Sequence, residues 1–448
     1  MERKLTEGSV LKDIFIFSLP YLLSYFLQTL YGMADLFLMG RFGFVSDITA
    51  VSVGSQVMHM LTVILVGLSM GTTVMVGRSV GAEKKDETAA YIGSTVTLFA
   101  ALSLLLTALL LTLVRPIVAA MSTPGDAVSG TVSYLTICFA GIPFITAYNV
   151  ISAIFRGLGD SKSPLCFVAI ACVINILLDC LFMGVMHLGP AGAALGTTLS
   201  QAASVLIALC MMKVRRTAVS LSKSDLKPKK DVMSKILGIG VPIALQDGLI
   251  QVSFIAITII ANRRGLNDAA AVGIVEKIIG IMFLVPSSML STVSALAAQN
   301  IGANQIGRAK QTLWYAIGIA AGVGILLSVL TQFCAGSMVR LFEDDMTVVQ
   351  SGREYLLSYV FDCAIAGIHF CFSGYFCAIG KAQISFLHNI LSIVIARIPL
   401  AYLASVMFPS TLYPMGLAAP IGSLLSAVIC VIAYQLLCRN TKERRAAR

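Results

Sequence analysis

Long apolar runs recur along the whole chain and constrain its fold more than any other feature. A stretch of roughly 20 predominantly apolar residues is long enough to cross the hydrocarbon core of a bilayer. The 448 residues are 57% hydrophobic and only 12% charged, whereas soluble domains carry about 25% charged residues. We therefore predict an all-α polytopic membrane protein and not a string of soluble domains.

Polar breaks between the runs divide the chain into twelve predicted transmembrane helices, called spans one to twelve. They cover about residues 14–38, 50–77, 91–114, 127–155, 164–186, 189–212, 234–261, 269–298, 312–339, 347–379, 384–408 and 413–437. Several runs exceed 25 residues, so we expect tilted or kinked helices. The first run is too long for a cleavable signal peptide, and we expect it to direct the chain to the membrane.

The two halves of the chain resemble each other at a constant offset. The stretch "SLPYLL" (18–23) matches "GVPIAL" (240–245), and "RSVGAEKKD" (78–86) matches "QNIGANQIG" (299–307), each 221–222 residues apart. Such matches indicate an internal duplication. The predicted parts are two pseudo-symmetric six-helix bundles (1–212 and 236–437), a cytoplasmic linker (213–235) and a basic tail (438–448). Repeats with an even helix number should be related by an axis along the membrane normal, with a cavity between them.

The distribution of Lys and Arg predicts the orientation. The N-terminus, the even-numbered connections and the C-terminal tail carry 24 of the 32 basic residues, and the odd-numbered connections carry 5. Basic residues accumulate on the cytoplasmic side, so both termini and the linker should lie in the cytoplasm of a protein of the cell (plasma) membrane. The net charge of +10 is then mostly a topology signal and does not favour nucleic-acid binding.

Cysteine and histidine patterns do not suggest a metal centre or an enzyme. The eleven Cys include no CxxC pair, and the four His are scattered through the sequence. Neither pattern matches a disulfide framework or a zinc site. We find no nucleophile–base pair and no pair of carboxylates on a cytoplasmic loop. We therefore expect no enzymatic activity and no cofactor.

Polar residues inside the first-half spans are the strongest functional signal, because ionisable residues there usually face a water-filled path. Asn175 and Asp179 lie four residues apart on one face of span five, and Gln28 and Asp35 lie seven apart on one face of span one. Spans four and six add Asn149, Thr197 and Thr198. Two carboxyls in such a pocket can retain a proton near neutral pH, or hold Na⁺ with amide, hydroxyl and carbonyl oxygens. The alternative is that Asn175 and Asp179 only bond neighbouring helices.

The second half carries a different set of ionisable residues within its spans. Asp247, Glu276, Asp362 and Arg397 define a possible second polar site. Arg397 precedes the kink-prone Pro399 by two residues, which favours a structural pairing for it.

Pro20 in the first turns of span one corresponds to Pro242 in the second half. Proline frees a backbone carbonyl and permits a bend. Because span one also carries Asp35, protonation can then change the helix shape; the alternative is a static kink.

Six motifs together give the chain a resemblance to the multidrug and toxic compound extrusion (MATE) family over nearly its whole length. They are "LPYLLSYFLQTLYGMADLFLMGRFG" (19–43), "SVGAEKKDE" (79–87), "FRGLGDSKSP" (155–164), "NILLD" (175–179), "GPAGAALGTTLSQ" (189–201) and "ARIPLAY" (396–402). The resemblance implies a V-shaped pair of bundles that exports amphipathic, often cationic compounds in exchange for H⁺ or Na⁺.

The family branch with its cation site in the N-terminal bundle also implies site residues. They would be Asp35, Gln28, Asn149, Asn175, Asp179 and Thr197, with Na⁺ possible at Asp35, Asn175 and Asp179. The helix bend of that branch falls at Pro20. Another branch binds its ion on acidic residues of helices seven, eight and ten, where Asp247, Glu276 and Asp362 stand in contexts that do not match convincingly. A second site in the C-terminal bundle therefore stays open.

We accordingly predict a secondary active multidrug efflux transporter that works by alternating access. Its partners are small amphipathic or cationic substrates and the lipid bilayer, and we expect a monomer. The alternative is a lipid-linked oligosaccharide flippase of the same superfamily. Such a protein needs several cationic groups in its cavity to hold pyrophosphate, and only Lys277 and Arg397 qualify.

Overall fold

All regular structure in the described part of the chain is helical. The structure is a computed structural model that describes residues 5–214 and 225–446. Ten of its helical stretches are long and apolar enough to cross a membrane, and two further spans are helix pairs bent by 49° and 43°. Each bent pair counts as one span, so the predicted all-α fold with twelve transmembrane helices is confirmed.

Seven α-helices form the six spans of the first half. They are α1 (Val10–Phe42), α2 (Val45–Gly81), α3 (Lys85–Ala120), α4 (Gly125–Ala140), α5 (Ile142–Gly157), α6 (Lys162–Asp179) and α7 (Gly189–Val214). A π-helical segment, Cys180–Val185, continues α6. Span four consists of α4 and α5 with the 49° bend between them. At that bend Gly141 lies so close to α7 that a Cβ there would meet Thr198 Cγ2 at 2.5 Å.

Ten α-helices and a second π-helical segment form the second half. They are α8 (Lys230–Asn262), α9 (Leu266–Met282), α10 (Leu284–Gly302), α11 (Ile306–Arg340), α12 (Met346–Tyr359), α13 (Asp362–Ala378), α14 (Ala382–Leu391), the π-helical Ser392–Arg397, α15 (Ile398–Met407), α16 (Tyr413–Gly416) and α17 (Ala418–Ala446). The pair α12 and α13 forms span ten with the 43° bend. Span eleven contains the second π-helical segment.

Most helices extend beyond the predicted apolar runs. The first begins at Val10 instead of residue 14, and the second begins at Val45 instead of residue 50. Polar residues continue these helices past the apolar run, and the Asp47 Oδ2 atom accepts a hydrogen bond from the Phe44 backbone N–H at 3.0 Å. Of the predicted linker, residues 215–224 lie outside the described residues, and α8 already begins at Lys230. Of the predicted tail, residues 447–448 also lie outside.

The chain divides into two compact units. Within the described ranges, unit 1 comprises residues 5–7, 19–244 and 302–304, and unit 2 comprises residues 8–18, 245–301 and 305–446. In unit 2 the close approach of α11 and α13 depends on glycine, because a Cβ at Gly324 would meet Ala364 Cα at 2.5 Å. Small residues allow such approaches between membrane helices. Large apolar side chains such as Phe333 (86% exposed) cover the outer surface, as expected for contact with lipid.

Candidate cation-binding site

Two buried carboxyl groups come together inside unit 1. Asp35 of α1 is 4% exposed, and Asp179 at the end of α6 is 0% exposed. Their carboxyl groups face each other, and the side chain of Asn175 (1% exposed) faces both. Thr197 of α7 donates a hydrogen bond from its Oγ1 atom to Asp35 Oδ2 at 3.3 Å. The structure therefore brings together four of the six residues predicted for the first-half site.

Several oxygen atoms of this site have no protein hydrogen-bond partner. They are Asp35 Oδ1, Asn175 Oδ1, and Asp179 Oδ1 and Oδ2, and the Asn175 Nδ2 atom is also unbonded among the described residues. Facing carboxylate oxygens are acceptors only, so they do not bond each other unless a proton or a cation lies between them. Buried acceptors without partners are costly and call for a specific explanation. A set of carboxylate, amide and hydroxyl oxygens suits a proton or a hard cation such as Na⁺.

Gly196 of α7 makes room for the Asp179 carboxyl. A Cβ at this position would collide with the Asp179 Oδ1 atom. The backbone of α7 thus forms one wall of the site, and any other residue at this position would push the carboxyl away. Periodicity did not single out Gly196, although it lies in the small-residue run "GPAGAALG". The one sequence signal was that run itself, since small residues mark close helix approaches in membranes.

Two predicted site residues lie near the carboxyl pair without bonding to it. Asn149 is buried on α5 and donates its Nδ2–H to the Ile145 carbonyl at 2.9 Å, one turn back in its own helix. Gln28 is half-buried on α1 and faces Tyr148. In the described part of the chain neither residue forms a hydrogen bond with Asp35 or Asp179. Their roles as direct ligands stay predictions.

Pro20 is buried within a continuous α1. It has no backbone N–H, so the Ile16 carbonyl one turn earlier loses its regular helical partner. The Pro20 carbonyl accepts a hydrogen bond from Ser24 Oγ at 2.7 Å. Side chains that bond to the carbonyl four residues back often bend helices. Both features make this turn the most deformable part of α1, which is where the sequence predicted a bend.

A salt bridge dominates the polar interior of unit 2. The Arg397 Nη2 atom, at the end of the second π-helical segment, lies 3.2 Å from Asp362 Oδ2 and donates a hydrogen bond to Tyr359 Oη at 2.7 Å. Its guanidinium carbon also lies 5.4 Å from the centre of the Phe254 ring. Glu276 lies within electrostatic reach of Arg397, and its Oε2 atom accepts a bond from Thr258 Oγ1 at 3.4 Å. The pairing predicted for Arg397 thus has a partner in Asp362.

Asp247 does not join that salt bridge. It is half-buried on α8, and its Oδ1 atom accepts a weak bond from Gln246 Nε2 at 3.4 Å. Gln246 in turn accepts a hydrogen bond from Ser385 Oγ at 2.7 Å. The four polar residues predicted for the second half therefore form at least two separate groups.

Two of the scattered histidines meet in the core of unit 2. The rings of His369 and His388 lie 5.6 Å apart, centre to centre. His388 bonds to Ser373 Oγ at 3.0 Å and to Ser426 Oγ at 3.2 Å, and His369 bonds to Ser423 Oγ at 3.3 Å. The sequence did not reveal this cluster, because its members lie far apart in the chain, on α13, α14 and α17. Its hydrogen bonds to serine hydroxyls join α13, α14 and α17, which indicates a structural role for both rings.

The sequence matches a known family twice. The MatE family matches residues 20–181 and 242–403. The two matched segments begin and end 222 residues apart, in agreement with the offset of the internal duplication.

Similar proteins cover almost the entire chain. It is 30% identical over 417 residues to "Probable multidrug resistance protein YpnP" of Bacillus subtilis (strain 168), covering 93% of this chain and 92% of the relative. It is 26% identical over 446 residues to "Multidrug export protein MepA" of Staphylococcus aureus (strain N315), covering 98% and 95%. A structure titled "Outward-facing conformation of a multidrug resistance MATE family transporter of the MOP superfamily" has the same fold, with a TM-score of 0.92, 21% identity and 99% coverage of both chains.

Proposed function

The chain belongs to the MatE family of transporters, and from that premise we propose that it is a secondary active multidrug efflux transporter. It exports amphipathic, often cationic compounds by alternating access, in antiport with H⁺ or Na⁺. The names of its relatives YpnP and MepA, a probable multidrug resistance protein and a multidrug export protein, support export of more than one drug. The proposal needs no organic cofactor and no enzymatic step.

The observation that carries the proposal is the buried carboxyl pair of Asp35 and Asp179. Its unbonded oxygens are those that a proton or Na⁺ satisfies, with Asn175 and Thr197 as neutral partners. Binding one cation changes the charge of the site by one unit inside an apolar bundle. Because unpaired buried charge is costly, the site with a bound cation and the site without one favour different arrangements of the helices around them. An ion-coupled transporter requires such a difference.

Export requires that drug and ion disfavour each other's binding, and this coupling is reciprocal. We place its mechanical part in α1, which carries Asp35 and, fifteen residues earlier, Pro20. At 1.5 Å per residue these positions lie about 23 Å apart along the helix. A change of charge at Asp35 then alters the packing of α1, and the deformable turn at Pro20 absorbs the change.

The basic residues support an orientation with both termini in the cytoplasm of a plasma-membrane protein. Of the 32 Lys and Arg residues, 24 belong to the N-terminus, the even-numbered connections and the C-terminal tail. This asymmetry is the usual signature of the cytoplasmic side. We treat the monomer as the working unit.

The flippase alternative has less support. Its pyrophosphate substrate requires free cationic groups, but Arg397 is paired with Asp362. Lys277 is exposed on α9. The carboxyl groups inside the two units favour a cationic cargo instead.

Dye transport in proteoliposomes tests the proposal. The purified protein is reconstituted, and an H⁺ gradient and a Na⁺ gradient, each high inside, are imposed in separate experiments. We expect one of them to drive uptake of ethidium, severalfold above protein-free liposomes, and an ionophore that collapses that gradient to stop it. Absence of uptake with either gradient would contradict the proposal. The comparison also identifies the coupling ion.

Gly196→Ala should weaken ion coupling without changing any polar group. The added methyl occupies the position of Asp179 Oδ1, and overpacking of this kind costs about 1–3 kcal/mol. We expect the half-saturating ion concentration for ethidium transport to rise by about tenfold, the equivalent of 1.4 kcal/mol. Gly32→Ala is the matched control, because Gly32 lies on α1 three residues from Asp35 and a Cβ there meets nothing within 4 Å. The same half-saturating ion concentration in both variants would contradict the placement of α7 against the Asp179 carboxyl.

A further inference from the structure

A strip of polar side chains leads from the carboxyl pair toward the α5–α6 connection. On α5 it consists of Tyr148, Ser152 and Arg156, each four residues from the next and therefore on one helical face. On α1 it consists of Tyr21, Tyr25 and Gln28, which also share a face. We call these six residues the polar strip. All of them lie in unit 1.

Contacts connect the polar strip to the cation site. The guanidinium carbon of Arg156 lies 4.6 Å from the centre of the Tyr21 ring, and the tilted rings of Tyr21 and Tyr25 lie 6.3 Å apart, centre to centre. Tyr148 faces both Ser152 and Gln28. Tyr31, next along α1, is the electrostatic neighbour of both Tyr148 and Asp35. Polar groups thus follow one another from Arg156 to the carboxyl pair.

The middle of the strip contains hydroxyl groups without partners. The Tyr148 Oη and Ser152 Oγ atoms are buried and form no hydrogen bond among the described residues, and the same holds for the nearby Thr146 Oγ1. Buried hydroxyls are normally bonded to protein or to ordered water. A row of such groups that ends at an ion site is what an internal hydrated path requires.

Arg156 occupies the far end of the strip. It is 8% exposed, and no carboxylate of the described residues lies within ion-pair distance of it. Its guanidinium lies over the ring of Tyr21, and Tyr25 and Tyr148 are within electrostatic reach. Cation–π contacts compensate only part of the cost of burying such a charge. A buried cation without a counter-ion therefore calls for a functional reason.

We propose that the polar strip is the path of the coupling ion between the Asp35–Asp179 site and the cytoplasmic side, and that Arg156 is its electrostatic gate. The inference rests on the proposed function for the identity of the site and for the orientation. A fixed positive charge in a narrow path repels H⁺ and Na⁺, as arginines do in selective pores. Arg156 rests on Tyr21, which directly follows Pro20, so deformation of α1 at that turn moves the gate. Ion release is thereby linked to the shape of α1.

A leak assay without any drug tests the gate. Liposomes containing wild type, Arg156→Gln or Arg156→Lys receive an H⁺ or Na⁺ gradient, and a pH-sensitive or Na⁺-sensitive dye in the lumen reports downhill flux. Removing one unit charge from a low-dielectric path should speed the leak by about tenfold or more. Arg156→Lys keeps the positive charge, so its leak rate should equal that of the wild type. Adding Asp179→Asn to Arg156→Gln should suppress the leak, because the path ends at that carboxyl.

An Arg156→Gln protein that is as tight as wild type overturns the gate. Tyr148→Phe keeps the test decisive if Arg156→Gln does not fold, because it removes a hydroxyl that has no partner and leaves the ring. We expect ion-driven ethidium transport to slow severalfold in this variant at an unchanged melting temperature. An unchanged rate overturns the hydrated path. The leak assay contains no drug and therefore tests only the gate. Ethidium transport by the wild-type protein tests the proposed function, so the two can fail independently.

Discussion

Replacing Asp179 with asparagine will abolish ion-driven ethidium transport and leave the protein folded. Asparagine keeps the size of the side chain and one of its oxygens, but it neither takes up a proton nor carries a negative charge. Asp179 is fully buried, faces Asp35, and has two unbonded carboxylate oxygens. Without Asp179 the site keeps only the Asp35 carboxyl, which no longer shares a proton or a Na⁺ with a second carboxylate, so the coupling ion loses half of its charged ligands. Transport should fall to the level of protein-free liposomes.

Asp126→Asn is the matched control for this variant. It makes the same chemical change in the first turn of α4, where Asp126 is exposed, and should transport ethidium like wild type. Melting curves and size-exclusion profiles of both variants establish that they fold. Full activity of Asp179→Asn would refute the carboxyl-pair mechanism. The Asp179→Asn protein should still bind ethidium, because the substitution removes coupling and not the drug site.

The arrangement of the carboxyl pair follows in part from the sequence. The spacing of Asn175 and Asp179 predicted a shared helical face, and both are buried toward Asp35 in unit 1. The structure places the two residues together because residues four apart share one face of a helix, and a polar side chain avoids the lipid-facing side of an apolar span. Thr197 was named as a polar residue of span six and through the family resemblance, and it bonds to Asp35. Local periodicity is sufficient to predict the position of a side chain where the helix is straight and where exposing that polar side chain to lipid costs free energy.

Features that depend on packing between helices were not predictable in this way. Gly196 is essential for the position of Asp179 only because α7 passes the carboxyl at that point. The bend of span four had a sequence signal in Gly141 and Pro143. The 43° bend of span ten falls near Val360 and Phe361, where the sequence has neither glycine nor proline. Tertiary contacts and not local propensity therefore set the second bend.

Each half of the chain contains one π-helical segment among the described residues, but the two segments do not occupy equivalent positions of the repeat. The first begins directly after Asp179, and the second ends at Arg397. The π-helix is rare and frequently marks functional sites. Span five thus presents an acid at its π-helical segment, and span eleven presents a base. At the offset of 222 residues Arg397 corresponds to Asn175 and not to Asp179. The unbonded carboxyl pair of unit 1 and the salt bridge of unit 2 therefore use different positions of the repeat.

A double-mutant cycle on Arg397 and Asp362 will show what the salt bridge of unit 2 contributes. Arg397 is 9% exposed and Asp362 is 0% exposed, and the Nη2 atom of Arg397 holds both the carboxylate and the Tyr359 hydroxyl. Arg397→Met leaves a buried carboxylate without its cation. Breaking a buried pair in this way typically costs about 3–5 kcal/mol. We expect the melting temperature in detergent to fall by several degrees, more than for any other single substitution considered for this protein.

Arg397→Met combined with Asp362→Asn should recover most of that loss, because no unpaired charge then remains in the apolar bundle. The exposed pair Lys84 and Glu87 provides the control, since its N–O distance is shorter, 2.7 Å, while its side chains are 59% and 52% exposed. Lys84→Met should therefore leave the melting temperature unchanged, because solvent screens surface pairs. A double variant as unstable as Arg397→Met would contradict the charge argument and assign the loss to packing around Tyr359. If the stable double variant also transports ethidium with its gradient, unit 2 holds a structural ion pair and coupling resides in the carboxyls of unit 1.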